Sequence, residues 1–305
     1  MWWPLAIFMG TALERLLAGL RSKYEIFEHS DPDKLRRGVA LVFTGDYIDR
    51  GNSALAIIER LRRIGGASPE QLVTLLGNHE LLALEAYDKA TELSKRKEEG
   101  DVLAEYRDRT GHGRNGGVEF IREFGQHTLP PLKSYAARMA RSGDIGGWMR
   151  ALRPFFETTV ARRKILFTHA DLSERLRDCK VLSCYLRRLE KHQEVSTLEA
   201  GGTRAKYGHP ILGGDGSIFW SRSFRRLDDA DQASIDDICN RVGVDVLVTG
   251  HTPHKAIKAY GKRIFDIDVG MSPRCGGNTP QALLFSRDGI VGFGANGTET
   301  TFARW

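Results

Sequence analysis

The stretch Gly45-Asp46-Tyr47-Ile48-Asp49-Arg50-Gly51 follows directly on the aliphatic run GVALVFTG (38–45), and its reading decides the fold. An uninterrupted β-branched and aliphatic run of this length reads as a strand buried on both faces. An Asp placed directly after it lies at the strand's carboxyl end, where α/β sheets build their sites. The same pattern recurs three times. LVTLL (72–76) runs into Gly77-Asn78-His79-Glu80, KILFT (164–168) into His169, and DVLVT (245–249) into Gly250-His251-Thr252-Pro253. Taken singly, each has a plainer meaning: an ion pair or Asx turn, a helix-capping Asn, a hydrogen-bonded core His. Four such endings on one sheet, contributing Asp46, Asn78, His169 and His251, make a mixed oxygen and nitrogen donor set for a divalent metal such as manganese, iron or zinc.

Helical signals alternate with the strands. Ser53 is placed to cap SALAIIERLRRI, where Leu55, Ile58, Leu61 and Ile64 keep a helical period, and Thr11 opens TALERLLAGL after an apolar strand in PLAIF (4–8). Residues 81–106 read as one long charged helix with a break at Gly100. RIFDIDVG (263–270), QALLFS (281–286) and GIVGFG (289–294) read as three strands of an antiparallel portion, with turns and no helix between them. Residues 172–235 are charged and weakly periodic, an insertion covering the site, with Phe219, Trp220 and Phe224 arguing for a packed segment. The expected organisation is a single domain over 1–305.

The 305 residues are 41% hydrophobic and 28% charged, a globular composition, and no apolar run approaches the ~20 residues of a bilayer-spanning helix. The N-terminal MWWPLAIFMG lacks a basic leader and a small-residue cleavage site, so it reads as part of the fold. The net charge is +6, yet the densest basic stretch, Lys95-Arg96-Lys97, runs at once into Glu98 and Glu99. That is a solvated helix face, so no nucleic-acid partner is expected; a mild positive field favours an anionic substrate. Four cysteines with no C-x-x-C pair fit a reducing, cytoplasmic setting.

GDYIDRG, GNHE, a strand-ending His and the later Gly-His-Thr-Pro resemble the calcineurin-like metallophosphoesterases. Within these they resemble most the serine/threonine phosphoprotein phosphatase branch in its bacterial and Shewanella-like forms. Asp266-Ile-Asp-Val-Gly-Met-Ser, Pro280-Gln-Ala-Leu, and Asn115-Gly-Gly near Phe124-Gly125 are similar to that branch as well, and the resemblance covers most of 38–286. It implies a central β-sandwich of mixed sheets flanked by helices, an α/β fold with two metals at the sheet edge. It implies a metal-dependent phosphatase acting on phosphoserine or phosphothreonine of proteins, or on small phosphoesters, with manganese the first choice of metal and iron or zinc the alternatives. Carried over onto matching positions, Asp46 bridges the metals, and Asn78, His169 and His251 complete one metal's shell. His79, oriented by Asp49, protonates the leaving alkoxide. Arg50 holds the phosphate, Arg222 of Phe-Trp-Ser-Arg is a second clamp, and a metal-acidified water attacks.

One family motif is not matched. The family opens with Gly-Asp-x-His-Gly, and no Asp-x-His precedes Asp46 here. His29 and Asp31 lie too close to Asp46 in sequence to replace it, and His254 falls one residue beyond the Gly-His-x-His spacing of the wider superfamily. The expectation is therefore one metal held firmly and a second one poorly, with weakened turnover. Two other readings follow: a pseudophosphatase that binds a partner or phosphate without hydrolysis, and a dinucleoside-polyphosphate hydrolase, whose usual Gly-Asn-His-Asp differs from GNHE.

Overall fold

A computed structural model describes residues 10–96, 102–125, 130–191, 214 and 216–305. The helices are α1 Gly10–Tyr24, α2 Ala54–Ala67, α3 Asn78–Glu85, α4 Tyr87–Leu93, α5 Val102–Arg109, α6 Val118–Arg122, α7 Pro131–Met139, α8 Asp144–Arg150, α9 Cys179–Lys191 and α10 Gln232–Val242. The strands are β1 Leu41–Phe43, β2 Leu72–Thr74, β3 Phe155–Val160, β4 Arg163–Thr168, β5 Val246–Thr249, β6 Lys258–Tyr260, β7 Ile264–Asp266, β8 Gln281–Phe285, β9 Gly289–Gly294 and β10 Glu299–Arg304.

Five strands in the order β3-β4-β5-β7-β6 form a mixed sheet, with β4, β5 and β7 parallel and both edges antiparallel. Facing it are the parallel pair β1-β2 and the antiparallel β8-β9-β10. Val73, Leu75, Ile165, Phe167, Val248 and Ile290 interlock between the two layers. Burying each of these side chains contributes roughly 1.5–3 kcal/mol. On the outer face of the second layer, Leu13, Leu16, Leu17 and Leu20 of α1 pack with Phe293, Ala282 and Leu284. Against the outer face of the five-stranded sheet lie the helices of 78–150 and α10, in one core with Leu166, Leu247 and Ile264. This is the β-sandwich flanked by helices that the sequence resemblance implies.

Several local expectations are corrected. The 81–106 helix begins earlier, at Asn78, and breaks at Ala86 into α3 and α4 before α5; Gly100 lies outside the described residues, as do PLAIF and 192–213 of the insertion. Strand β7 does not join β8 and β9: it runs parallel beside β5, with Leu247 opposite Ile264. Ser53 precedes α2 but makes no side-chain cap. The Glu123 carboxylate takes that place, accepting the N–H groups of Ala54 at 3.0 Å and Leu55 at 2.9 Å.

Among the described residues β1 pairs only with β2, and β8 only with β9. Along these two unpartnered edges runs a cavity of about 900 Å³, lined by Leu17, Val42, Phe167 and Leu283, which opens onto Asp46 and His169. Among the described residues the β1 side chains, expected to be buried on both faces, are half-buried.

Candidate functional site

The register of β1 on β2, Phe43 opposite Thr74, brings the Gly45–Gly51 loop alongside Gly77–Glu80. Glu80 joins them: fully buried, it accepts the N–H groups of Asp46 at 2.9 Å, Tyr47 at 2.8 Å and Gly77 at 3.0 Å. The approach admits glycine only. A Cβ on Gly77 would stand 2.4 Å from the Asp46 nitrogen, and one on Gly45 would stand 2.7 Å from the Gly77 Cα. Asp46, Asp49, Arg50 and His251 all adopt left-handed backbone, at φ 58°, 67°, 53° and 69°. Non-glycine residues rarely accept that conformation, and where they do the surrounding structure over-determines it, most often at functional sites.

On the facing sheet, Phe167 opposite Val248 levels the ends of β4 and β5, so that His169 and His251 stand with ring centroids 5.1 Å apart. The four strand endings thus come from two facing layers rather than from one sheet. His169 bridges the layers: its Nδ1 donates to the Thr44 carbonyl at 2.7 Å, which leaves the Nε2 lone pair for the site. That Nε2 lies 3.0 Å from Asn78 Oδ1 and 3.4 Å from Asp46 Oδ1. His251 Nδ1 lies 2.9 Å from Asn78 Oδ1, which is also 3.3 Å from each Asp46 carboxylate oxygen.

This donor set fits a divalent metal. Separations of 2.9–3.4 Å are the edges of a shell whose ligands stand ~2.0–2.2 Å from a common centre. With its amide oxygen turned toward Asp46, His169 and His251, Asn78 adds a fourth donor atom for a cation; turned about, its NH2 group would donate to the same three side chains instead. Burial opposes ionisation of Asp46, but the imidazoles of His169, His79 and His251 and the His79 backbone N–H outweigh it and lower its pKa to about 2. Burial, with His169 adding to it, lowers the pKa of His251 to about 2, keeping it in the neutral form that ligates. Among the described residues this is the one cluster of such donor atoms from His, Cys, Asp and Glu. His254 is not part of it: its Nε2 lies 3.3 Å from Asp266 Oδ2 at the end of β7. Asp31 accepts from the Asp33 N–H in its own turn.

Beside the donor set, His79 is 3% exposed and its Nδ1 lies 2.7 Å from Asp49 Oδ2. Burial pulls the His79 pKa down, but the Asp46 and Asp49 carboxylates overcome this and raise it to about 8. Burial likewise works to raise Asp49, and the His112 and His79 imidazoles overcome it and lower its pKa. Arg50 and Arg222 line the same cavity. Among the described residues the Arg50 guanidinium has no hydrogen bond or ion pair, while Arg222 Nη1 donates to Thr252 Oγ1 at 3.3 Å. All eight sequence-predicted site residues therefore gather around one cavity.

Sequence reading missed three residues here: Glu80, which splints the two loops; Asp268, which lines the cavity and whose pKa burial raises; and His112, buried against Asp49. A signal existed for the last, since His112 opens the run Gly113-Arg114-Asn115-Gly116-Gly117, more glycine than a solvated helix needs.

The family model described as calcineurin-like phosphoesterase matches residues 12–255. Shewanella-like protein phosphatase 2 of Arabidopsis thaliana is 24% identical over 271 residues, spanning 82% of this chain and 67% of the relative. The crystal structure of a cold-active protein-tyrosine phosphatase from a psychrophilic Shewanella species superposes with a TM-score of 0.61 at 17% identity, covering 96% of this chain and 77% of the other. A second structure titled cold-active protein tyrosine phosphatase gives 0.61, again at 17% identity, covering 96% and 76%. The sandwich fold is shared with these structures, and the family match spans most of the sequence. The chain belongs to the calcineurin-like phosphoesterase family.

Proposed function

We propose that the chain is a metal-dependent phosphatase that hydrolyses phosphomonoesters, those of protein side chains or of small molecules. The observation that carries this is the joint presence, in one cavity, of the Asp46-Asn78-His169-His251 donor set, the Asp49-His79 pair and two arginines. Asp46, Asn78, His169 and His251 would hold the metal, which when bound supplies Lewis-acid polarisation of the phosphoryl group and acidification of water. Arg50 and Arg222 bind the non-bridging phosphate oxygens, Arg50 with a guanidinium not spent elsewhere. Asp49 fixes the His79 ring through Nδ1, so that Nε2 faces the leaving oxygen. As the phosphorus–oxygen bond breaks, the Nε2 proton passes to that oxygen and the ring becomes neutral, its remaining proton on Nδ1. A pKa of about 8 keeps the ring protonated for this task at neutral pH.

The donor set of one imidazole pair, one amide and one carboxylate supports manganese, with iron or zinc as alternatives. Four free cysteines support a reducing, cytoplasmic setting. Residues 172–235 are proposed to cap the cavity within a single domain, supported by Trp220 and Arg222 in its lining and by the full burial of Phe219 and Phe224. A second reading, phosphate binding without turnover, is favoured by the presence of a single donor cluster among the described residues. Turnover of a phosphoserine peptide and of p-nitrophenyl phosphate in manganese separates the two. The phosphatase reading expects manganese-dependent release of phosphate, cut roughly 10²–10⁴-fold on the peptide by His79→Asn. Phosphate binding with no release by the unaltered chain would replace it with the second reading.

A further inference from the structure

Behind the Asp49-His79 pair lies a second imidazole that the proposed chemistry does not use. His112 is fully buried, and its Nε2 lies 2.9 Å from Asp49 Oδ1, the oxygen not engaged by His79. Its Nδ1 lies 2.7 Å from the Tyr106 hydroxyl, itself fully buried. Four groups thus form one hydrogen-bonded line, Tyr106–His112–Asp49–His79, from the helical core to the cavity. An ionised Asp49 only accepts, so His112 Nε2 carries a proton toward it, while Nδ1 meets the Tyr106 phenol. Among the described residues the two imidazoles are the only hydrogen-bond donors to Asp49.

The backbone is shaped to hold His112 there. Between α5 and α6 the chain kinks through Gly113–Gly117, where Gly116 takes left-handed backbone at φ 108°. A Cβ on Gly117 would stand 2.4 Å from the His112 ring, and one on Gly116 would stand 3.2 Å from the Arg50 nitrogen. Thr110 braces the turn, its Oγ1 donating to the Tyr106 carbonyl and accepting from the Gly113 N–H, each at 2.8 Å. Tyr135 stacks on the His112 ring at 6.2 Å and 19°, and Phe120 closes its edge at 6.3 Å.

We propose that His112 is a positioning residue: it fixes the rotation of the Asp49 carboxylate so that Oδ2 meets His79 Nδ1, which holds the His79 ring with Nε2 toward the leaving group. The physical need is clear. Asp49 is buried in left-handed backbone at φ 67°, and without His112 its Oδ1 is left unsatisfied. The carboxylate then turns toward any remaining donor, and the His79 ring loses its anchor. His112 touches neither substrate nor metal ligand, so its effect is confined to the proton step.

The kinetic part of the test rests on the phosphatase reading; the spectroscopic part does not. His112→Phe fills the aromatic box without a donor, and His112→Gln restores one. With a phosphoserine peptide, His112→Phe is expected to lower kcat about 10–100-fold at unchanged KM and metal content. With p-nitrophenyl phosphate, whose leaving group scarcely needs a proton, the loss is under about 3-fold, and His112→Gln recovers most of the peptide activity. Equal losses on both substrates, or no rescue by Gln, would overturn the proposal. Independently of any turnover, ¹⁵N-histidine NMR of the metal-free chain at pH 9.5 reads the His79 tautomer. The wild type and His112→Gln should show a single Nδ1–H form, and His112→Phe a mixture of both tautomers. A His79 ring that keeps its tautomer in His112→Phe would refute the positioning role even if the chain hydrolyses nothing.

Discussion

At the scale of single residues, the site depends on positions where no side chain fits. A Cβ on Gly77 would meet the Asp46 nitrogen at 2.4 Å, Asp46 Oδ1 at 2.3 Å and Glu80 Oε2 at 2.6 Å, and the first of these is backbone that cannot swing aside. Gly77→Ala should therefore separate the two loops and lose metal binding, with a stability cost of about 1–3 kcal/mol, the usual range for overpacking. Calorimetric titration with Mn²⁺ checks this; an alanine variant that binds as the wild type does would show that the loops move apart freely. The candidate donor set was legible in the sequence, because Asp46, Asn78, His169 and His251 each lie within four residues of a strand's carboxyl end. The left-handed backbone of Asp46, Asp49, Arg50 and His251 was not. It follows from contacts between loops far apart in sequence, and local propensity for Asp, Arg or His says little about it. The pairing of His112 with Asp49 was not legible for the same reason: 63 residues separate them.

At the scale of elements, helix ends and strand ends make the sharpest tests. Ser53 has the right identity and place to cap α2, but its Oγ bonds Asn52 Oδ1 at 3.3 Å while Glu123 receives the first two N–H groups of the helix. Glu123→Ala should cost about 1 kcal/mol, the value of a lost cap, and Ser53→Ala less than about 0.5 kcal/mol. Denaturant unfolding of both variants checks the order, and the reverse order would restore the sequence-based expectation. A long-range cap such as this cannot be read from a local motif. At the end of β7, Asp266 is 1% exposed, and burial raises its pKa from 3.8 to about 7. Below pH ~4 the carboxyl is neutral folded and unfolded, so it adds no pH-linked penalty. Between pH ~4 and ~7 the unfolded chain releases this proton and the folded chain keeps it, so stability falls as pH rises. Asp266→Asn keeps an acceptor for the Asp268 N–H, which now bonds Asp266 Oδ1 at 3.1 Å. In chelator, the variant should gain on wild type by about 4 kcal/mol between pH 4 and pH 8. A gap that is constant with pH, or largest at pH 4, would contradict this.

At the scale of the whole molecule, the sandwich brings together ligands that a single sheet would keep in a row. The strand-then-ligand pattern read from sequence suggested one sheet; in the fold, β1-β2 contributes Asp46 and Asn78, and the facing layer contributes His169 and His251. The carboxyl-end rule places these residues at one end of the sandwich because it holds within each layer, but it does not say how layers face each other. That arrangement comes from apolar packing between them, through Phe167, Val248, Val73 and Ile290, whose partners no local pattern specifies. The central claim is that these four residues, one pair from each layer, hold a divalent cation. Equilibrium dialysis against Mn²⁺ followed by elemental analysis tests it most directly. The wild type should carry about one ion per chain, matching the single donor cluster of the described residues, and Asn78→Ala and His251→Ala should carry little. A wild-type chain that holds no manganese, or variants that hold as much as the wild type, would contradict it.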